Sequence, residues 1–99
     1  MTKKIAKHVN YEYKGNNVKI LKFYADWCGP CKMLSKTIET IKEEIPFEIE
    51  EVDADNNPDM AKKYNIRGLP TMIIVDGETE VKRHTGNMTA EQVKEFVTI

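Results

Sequence analysis

The stretch Cys28-Gly29-Pro30-Cys31, lying between a β-branched run and a helical repeat, constrains this chain more than any other feature. Upstream, Val18-Lys19-Ile20-Leu21-Lys22-Phe23-Tyr24-Ala25 is rich in β-branched and aromatic residues and reads as a strand. Downstream, Leu34, Ile38, Ile41 and Ile45 recur with the spacing of one helical face until Pro46 stops the pattern. The cysteines therefore sit where a strand gives way to a helix. Pro30 suits the first helical turn, where its missing N–H would have had no partner. Residues i and i+3 share a side of a helix, which brings the two sulfurs within bonding reach. Cys28 falls at the helix N-terminus, where unpaired N–H groups and the helix dipole favour a thiolate. Cys31 lies about one turn further in and is expected to be the less exposed of the two. One sulfur is placed to attack an external disulfide, the other to resolve the mixed disulfide that results.

The rest of the chain reads as a frame for that junction. Phe47 to Val52 is a short strand. Asn57-Pro58 starts a brief helix, with Asn57 as N-cap and Met60, Ala61 and Tyr64 as its apolar stripe; Asn65 ends it in the left-handed conformation. Thr71 to Val75 is a buried strand, and Asp76-Gly77 is a hairpin signal that returns Glu80 to Thr85 antiparallel. Gly86-Asn87 turns the chain. Thr89 and Gln92 fit a capping box for a last helix that buries Val93, Phe96 and Val97. A right-handed crossover makes the first two strands parallel neighbours, and the hairpin adds antiparallel strands to the same sheet. The expected fold class is α/β: a central mixed sheet of four to five strands flanked by helices on both faces. Before Val18, Ile5, Val9, Tyr11 and Tyr13 share one parity, which fits an extended strand; a strand followed by a short helical turn fits as well.

Composition narrows the function classes. Ninety-nine residues suffice for one domain, 1–99, and not for two. Fifteen Lys and Arg stand against sixteen Asp and Glu, a formal charge of −1 that offers no global field for nucleic acid or anionic lipid. Two cysteines cannot form a disulfide framework, and His8 and His84 lie too far apart for the Cys/His spacing of a zinc site; no metal or cofactor is expected. The longest apolar run, Met72-Ile73-Ile74-Val75, is far short of a membrane span. Lys3, Lys4, Lys7 and His8 interrupt the place where a secretory signal would begin. A monomer in a reducing compartment, the cytoplasm, is the expectation.

The segment Phe23-Tyr24-Ala25-Asp26-Trp27-Cys28-Gly29-Pro30-Cys31-Lys32-Met33 resembles the active-site stretch of the thioredoxin family. Asp53-Ala54-Asp55, Asn57-Pro58, Tyr64-Asn65-Ile66-Arg67-Gly68-Leu69-Pro70-Thr71, Gly77 and Gly86 follow in that family's order, so the resemblance covers about four-fifths of the chain. It implies a thioredoxin fold and a protein-disulfide reductase, with Cys28 attacking and Cys31 resolving. Trp27, Gly29 and Pro30 would form the active-site loop. Pro70 matches the family's cis-proline, whose loop offers Leu69 backbone groups to an extended substrate. Gly68, Gly77 and Gly86 would be close-packing or turn glycines. The implied partners are disulfide-containing proteins and a flavin-dependent thioredoxin reductase that uses NADPH.

Four positions depart from the family. Lys22 stands where most members carry a buried aspartate, and Glu51 where its lysine partner stands, so the pair looks charge-reversed. Lys22 shares strand parity with Ile20 and Tyr24 and should point to a covered face; an ion pair with Glu51 is the natural resolution. The plain reading is a swapped structural pair. The sharper one is that Lys22 tunes a thiolate on Cys31 or Cys28, or that Glu51 replaces the usual proton acceptor. Tyr24 replaces a tryptophan, and Lys36 replaces a proline that kinks the family's helix. Elsewhere Asp26 and Lys62-Lys63 read as solvated charges, Met33, Met60 and Met72 as core or rim packing, and His84 as exposed. Competing functions are a glutaredoxin-like protein recycled by glutathione, a binding module using the surface around Trp27, Leu69 and Gly86, and a metal-bridged dimer.

Overall fold

A computed structural model describes residues 17–98; the expected strand before Val18 lies outside them. The described chain runs β1 (Val18–Tyr24), α1 (Gly29–Thr40), a 3-10 turn (Lys42–Glu44), β2 (Glu48–Asp53), α2 (Pro58–Lys63), β3 (Thr71–Asp76), β4 (Thr79–Thr85) and α3 (Ala90–Phe96). The strands form one mixed sheet in the order β2-β1-β3-β4, with β1 parallel to β2 and antiparallel to β3. This is the crossover-plus-hairpin arrangement expected from the element order.

Alternation along the two central strands divides the core. Ile20, Met72 and Ile74 face α1 and α3, where they pack with Leu34, Ile38, Val93 and Phe96. Leu21, Phe23, Ile73 and Val75 face the other way, toward Val52 and Tyr64, with Met60 and Ile66 packed against them. Because both faces are covered, β3 is an unbroken apolar run rather than an alternating one. Lys22 is the polar interruption in β1, on the α1 face beside Ile20.

Several expectations change in detail. The helical stripe of Leu34 and Ile38 is α-helical only to Thr40; Ile41 is its C-cap, and the chain tightens into the 3-10 turn before Pro46. Lys36 lies within an uninterrupted α1. Asn57 occupies the N-cap position of α2 without capping it. Its side-chain amide instead donates to the Asp53 carbonyl at 2.9 Å. His84 is half-buried, its ring 6.5 Å from that of Phe96, because β4 is covered by α3 at this point. Asn65 does take positive φ, 54°, and the capping box of α3 is complete.

Candidate active site

The C-terminal end of β1 delivers the cysteines. The strand ends at Tyr24, and the Cys28 N–H donates back to the Ala25 carbonyl at 3.1 Å, closing a tight turn. Cys28 then has extended backbone, φ −90° and ψ 106°, and serves as the N-cap of α1. Its sulfur accepts the Cys31 N–H at 3.1 Å, so Sγ takes the place of the hydroxyl or carboxylate oxygen that usually caps a helix. Pro30 stands in the first turn, as its lack of a donor requires, and that turn contains no acidic residue. The two sulfurs are joined in a disulfide, with Cα atoms 5.2 Å apart. The expected contrast in exposure is small: Cys28 is 3% exposed and Cys31 2%, since Ala25, Tyr24 and Leu69 close over both.

Two other loops complete the site. The peptide bond between Leu69 and Pro70 is cis, and Leu69 packs against the Ala25–Cys28–Cys31 cluster. The Pro70 carbonyl accepts the Gly86 N–H at 2.7 Å, and Thr71 Oγ1 donates to the Gly68 carbonyl at 2.7 Å. A Cβ on Gly68 would come within 3.1 Å of Thr85 Cγ2, which explains a glycine there. On the other side, the parallel pairing of β1 with β2 sets the Asp53–Asn57 loop beside Trp27. Asp53 organises that loop by accepting the Asp55 N–H at 2.9 Å, and Asp55 Oδ2 accepts the Trp27 indole N–H at 2.9 Å. Trp27 is 71% exposed yet held at one end. Met33, read from sequence as packing, is 60% exposed. It lies on the outward side of α1.

Within β1, Lys22 is 1% exposed. The β1–β2 register sets it opposite Glu51, and Nζ donates to Glu51 Oε1 at 3.0 Å, the ion pair expected from the sequence. A second acceptor, Ser35 Oγ at 2.7 Å, was not anticipated, although its i+4 spacing from Cys31 marks it as the same face of α1. The Asp55 contact was likewise missed; adjacent C-terminal ends of two parallel strands are its signal. Asp26 and Arg67 are exposed, and Lys63 pairs with Glu78 at 3.4 Å. Among the described residues no three His, Cys, Asp or Glu side chains are grouped to hold a metal ion. The arrangement offers dithiol–disulfide exchange at the end of a strand. No helix among these residues is long and apolar enough to cross a membrane.

Comparison with known proteins agrees with this geometry. The thioredoxin family model matches residues 3–99. A thioredoxin from Chlamydia trachomatis is 40% identical over 68 residues, covering 68% of this chain and 67% of the relative. One from Chlorobaculum thiosulfatiphilum is 36% identical, covering 79% and 78%. A bifunctional thioredoxin reductase/thioredoxin from Mycobacterium leprae is 38% identical over 72% of this chain and 16% of its own length. Among solved structures, the thioredoxin of Fasciola hepatica superimposes with a TM-score of 0.73 at 32% identity, over 83% of this chain and 79% of that one. A mutant thioredoxin from Halobacterium salinarum gives 0.74 at 34% identity, over 83% and 73%.

Proposed function

This chain belongs to the thioredoxin family and is a protein dithiol–disulfide oxidoreductase, and on that premise we propose how its residues divide the reaction. Cys28 is the attacking sulfur and Cys31 the resolving one. The observation that carries this assignment is the position of Cys28 Sγ at the N-cap of α1, accepting a backbone N–H from the first turn. The same N–H groups and the helix dipole favour a thiolate at that atom once the disulfide is reduced. Cys31, one turn inside the helix, has its sulfur bonded to that of Cys28 and is placed to resolve the mixed disulfide. Trp27, Gly29, Pro30 and Leu69 form the rim that receives the substrate chain, with the buried Pro70 behind Leu69 in the same loop.

The physiological reductant in this reading is thioredoxin reductase, the substrates are disulfide-containing proteins, and the protein works as a monomer in the cytoplasm. The fusion of reductase and thioredoxin named in the Mycobacterium leprae relative supports the first of these. A recycling assay with thioredoxin reductase beside glutathione separates it from a glutaredoxin-like cycle.

Reduction of a disulfide-bonded test protein by dithiothreitol checks the roles of the cysteines. Wild type is expected to accelerate it, and Cys28→Ser to lose the acceleration. Cys31→Ser is expected to accumulate as a mixed disulfide with substrate. A Cys28→Ser protein as active as wild type would reverse or remove the assignment.

A further inference from the structure

Lys22 carries the one ionic side chain that the described fold buries, and both of its hydrogen-bond acceptors share a cavity with Cys31. Nζ donates to Ser35 Oγ at 2.7 Å and to Glu51 Oε1 at 3.0 Å, and lies 5.5 Å from the centroid of the Tyr24 ring. Those three residues, together with Cys31, Asp26 and Lys32, line a cavity of about 260 Å³ beside the resolving sulfur. The ammonium is thus one hydrogen bond from two residues, Ser35 and Glu51, that line this cavity together with Cys31.

The charges around that cavity do not cancel. Glu51 opposes Lys22, but its side chain is 55% exposed, so water screens its field while the ammonium is enclosed. Asp26 and Lys32 at the rim are both exposed and of opposite sign. Tyr24 adds no charge, because desolvation and then the carboxylates of Asp53, Asp26 and Glu51 hold its phenol above the ordinary range. The N-terminus of α1 is positive as well, with no acidic residue in its first turn. The enclosed charge nearest this cavity, the ammonium, and the N-terminus of α1 are thus both positive.

We propose that Lys22 is a positioning residue for the resolving step: its ammonium favours the thiolate of Cys31, Glu51 moderates that field, and Ser35 holds the ammonium in place. The proposal rests on the resolving role given to Cys31 above. With a substrate sulfur bonded to Cys28, Cys31 loses its proton to water at the cavity mouth. Its electron pair forms the Cys31–Cys28 bond, and the bond between Cys28 and the substrate sulfur breaks. The pair leaves on the substrate as a thiolate, which takes a proton from water. The protein dithiol is oxidised by two electrons and the substrate disulfide is reduced by two. A buried carboxylate takes no part.

The test is stopped-flow reaction of the reduced protein with an activated aromatic disulfide that releases a coloured thiolate. The first phase reports attack by Cys28 and the second resolution by Cys31. Lys22→Met removes the buried ammonium and leaves Glu51, 55% exposed, in contact with solvent, so no enclosed charge is stranded, and a thermal melt verifies the fold. The pH midpoint of its second phase is expected to rise by about one unit, roughly tenfold slower resolution below it, with the first phase unchanged. Glu51→Gln, which removes the counter-charge, is expected to move the midpoint the other way. A Lys22→Met second phase that superimposes on wild type overturns the proposal. So does a Glu51→Gln protein that resolves more slowly, which would make Glu51 the proton acceptor. Loss of the second phase in wild type, or its survival in Cys31→Ser, overturns the resolving role itself and the proposal with it.

Discussion

Arg83 ties β4 to the end of α2 through one guanidinium. Its Nε and Nη2 hold the Glu80 carboxylate at 2.7 and 2.8 Å, and Nη2 also donates to the Tyr64 carbonyl at 2.7 Å, joining β4 to the end of α2. The Arg83 hydrogen bond, then its charge, lowers the Glu80 carboxyl below its ordinary value of 4.5, against a desolvation that raises it. A carboxylate held below its unfolded value contributes stability above that value and loses it as pH falls through the lower, folded one. Glu80→Gln is therefore expected to destabilise the protein at neutral pH by less than about 1 kcal/mol, since both side chains are about a third exposed. Urea melts should show the difference shrinking as the pH drops below 4.5. At this scale the Lys22–Glu51 pair was legible through the family resemblance, while the Lys19–Glu50 pair across the same two strands was not anticipated. Contacts that bring a helix or loop to a strand, Ser35 to Lys22 and Asp55 to Trp27, were not legible, since they depend on where separate elements come to rest.

Among the elements, α3 has the most self-contained code. Thr89 Oγ1 accepts the Gln92 N–H at 3.2 Å while Gln92 Oε1 accepts the Thr89 N–H at 2.9 Å, and Val93 and Phe96 supply the buried face. Thr89→Ala removes the first bond and is expected to lower stability by about 1 kcal/mol in equilibrium urea unfolding, with the disulfide-reductase rate unchanged. Such local signals were readable: the capping box, the left-handed Asn65 and the Asp76-Gly77 hairpin all take the form the residues imply. Asn57 shows why a local signal can be overridden. Its amide is claimed by the Asp53 carbonyl four residues back, so α2 begins without a side-chain cap. The last turn before Pro46 likewise tightens from α to 3-10, a distinction that apolar spacing does not encode.

For the whole molecule, stability rests on two small cores that share β1 and β3. Leu34, fully buried, is the α1 residue that packs with Ile20, Met72 and Val93 on the larger side. Leu34→Ala is expected to cost about 2–5 kcal/mol in the same unfolding assay. A domain of this size holds about 5–15 kcal/mol in all, so the variant should melt well below wild type while still reducing disulfides at low temperature. The sheet order followed from general rules of connection, since a parallel crossover and a hairpin leave few other ways to cover both faces. The same topology gathers the β1–α1 turn, the Asp53–Asn57 loop and the Leu69–Pro70 bond around one sulfur pair. The family resemblance had quoted residues of all three and given a site role to the first and third.

The reversed ion pair also limits the routes by which this sequence can change. Replacing Lys22 alone by a carboxylate sets two negative groups face to face, one of them buried; replacing Glu51 alone by lysine does the same with two cations. Each single exchange leaves an enclosed charge without an opposite, at a cost of about 3–5 kcal/mol. An uncharged residue at position 22 meets no such barrier. The polarity of this site is therefore inherited as a unit, and its only inexpensive passage to the opposite sign begins with an apolar side chain on β1.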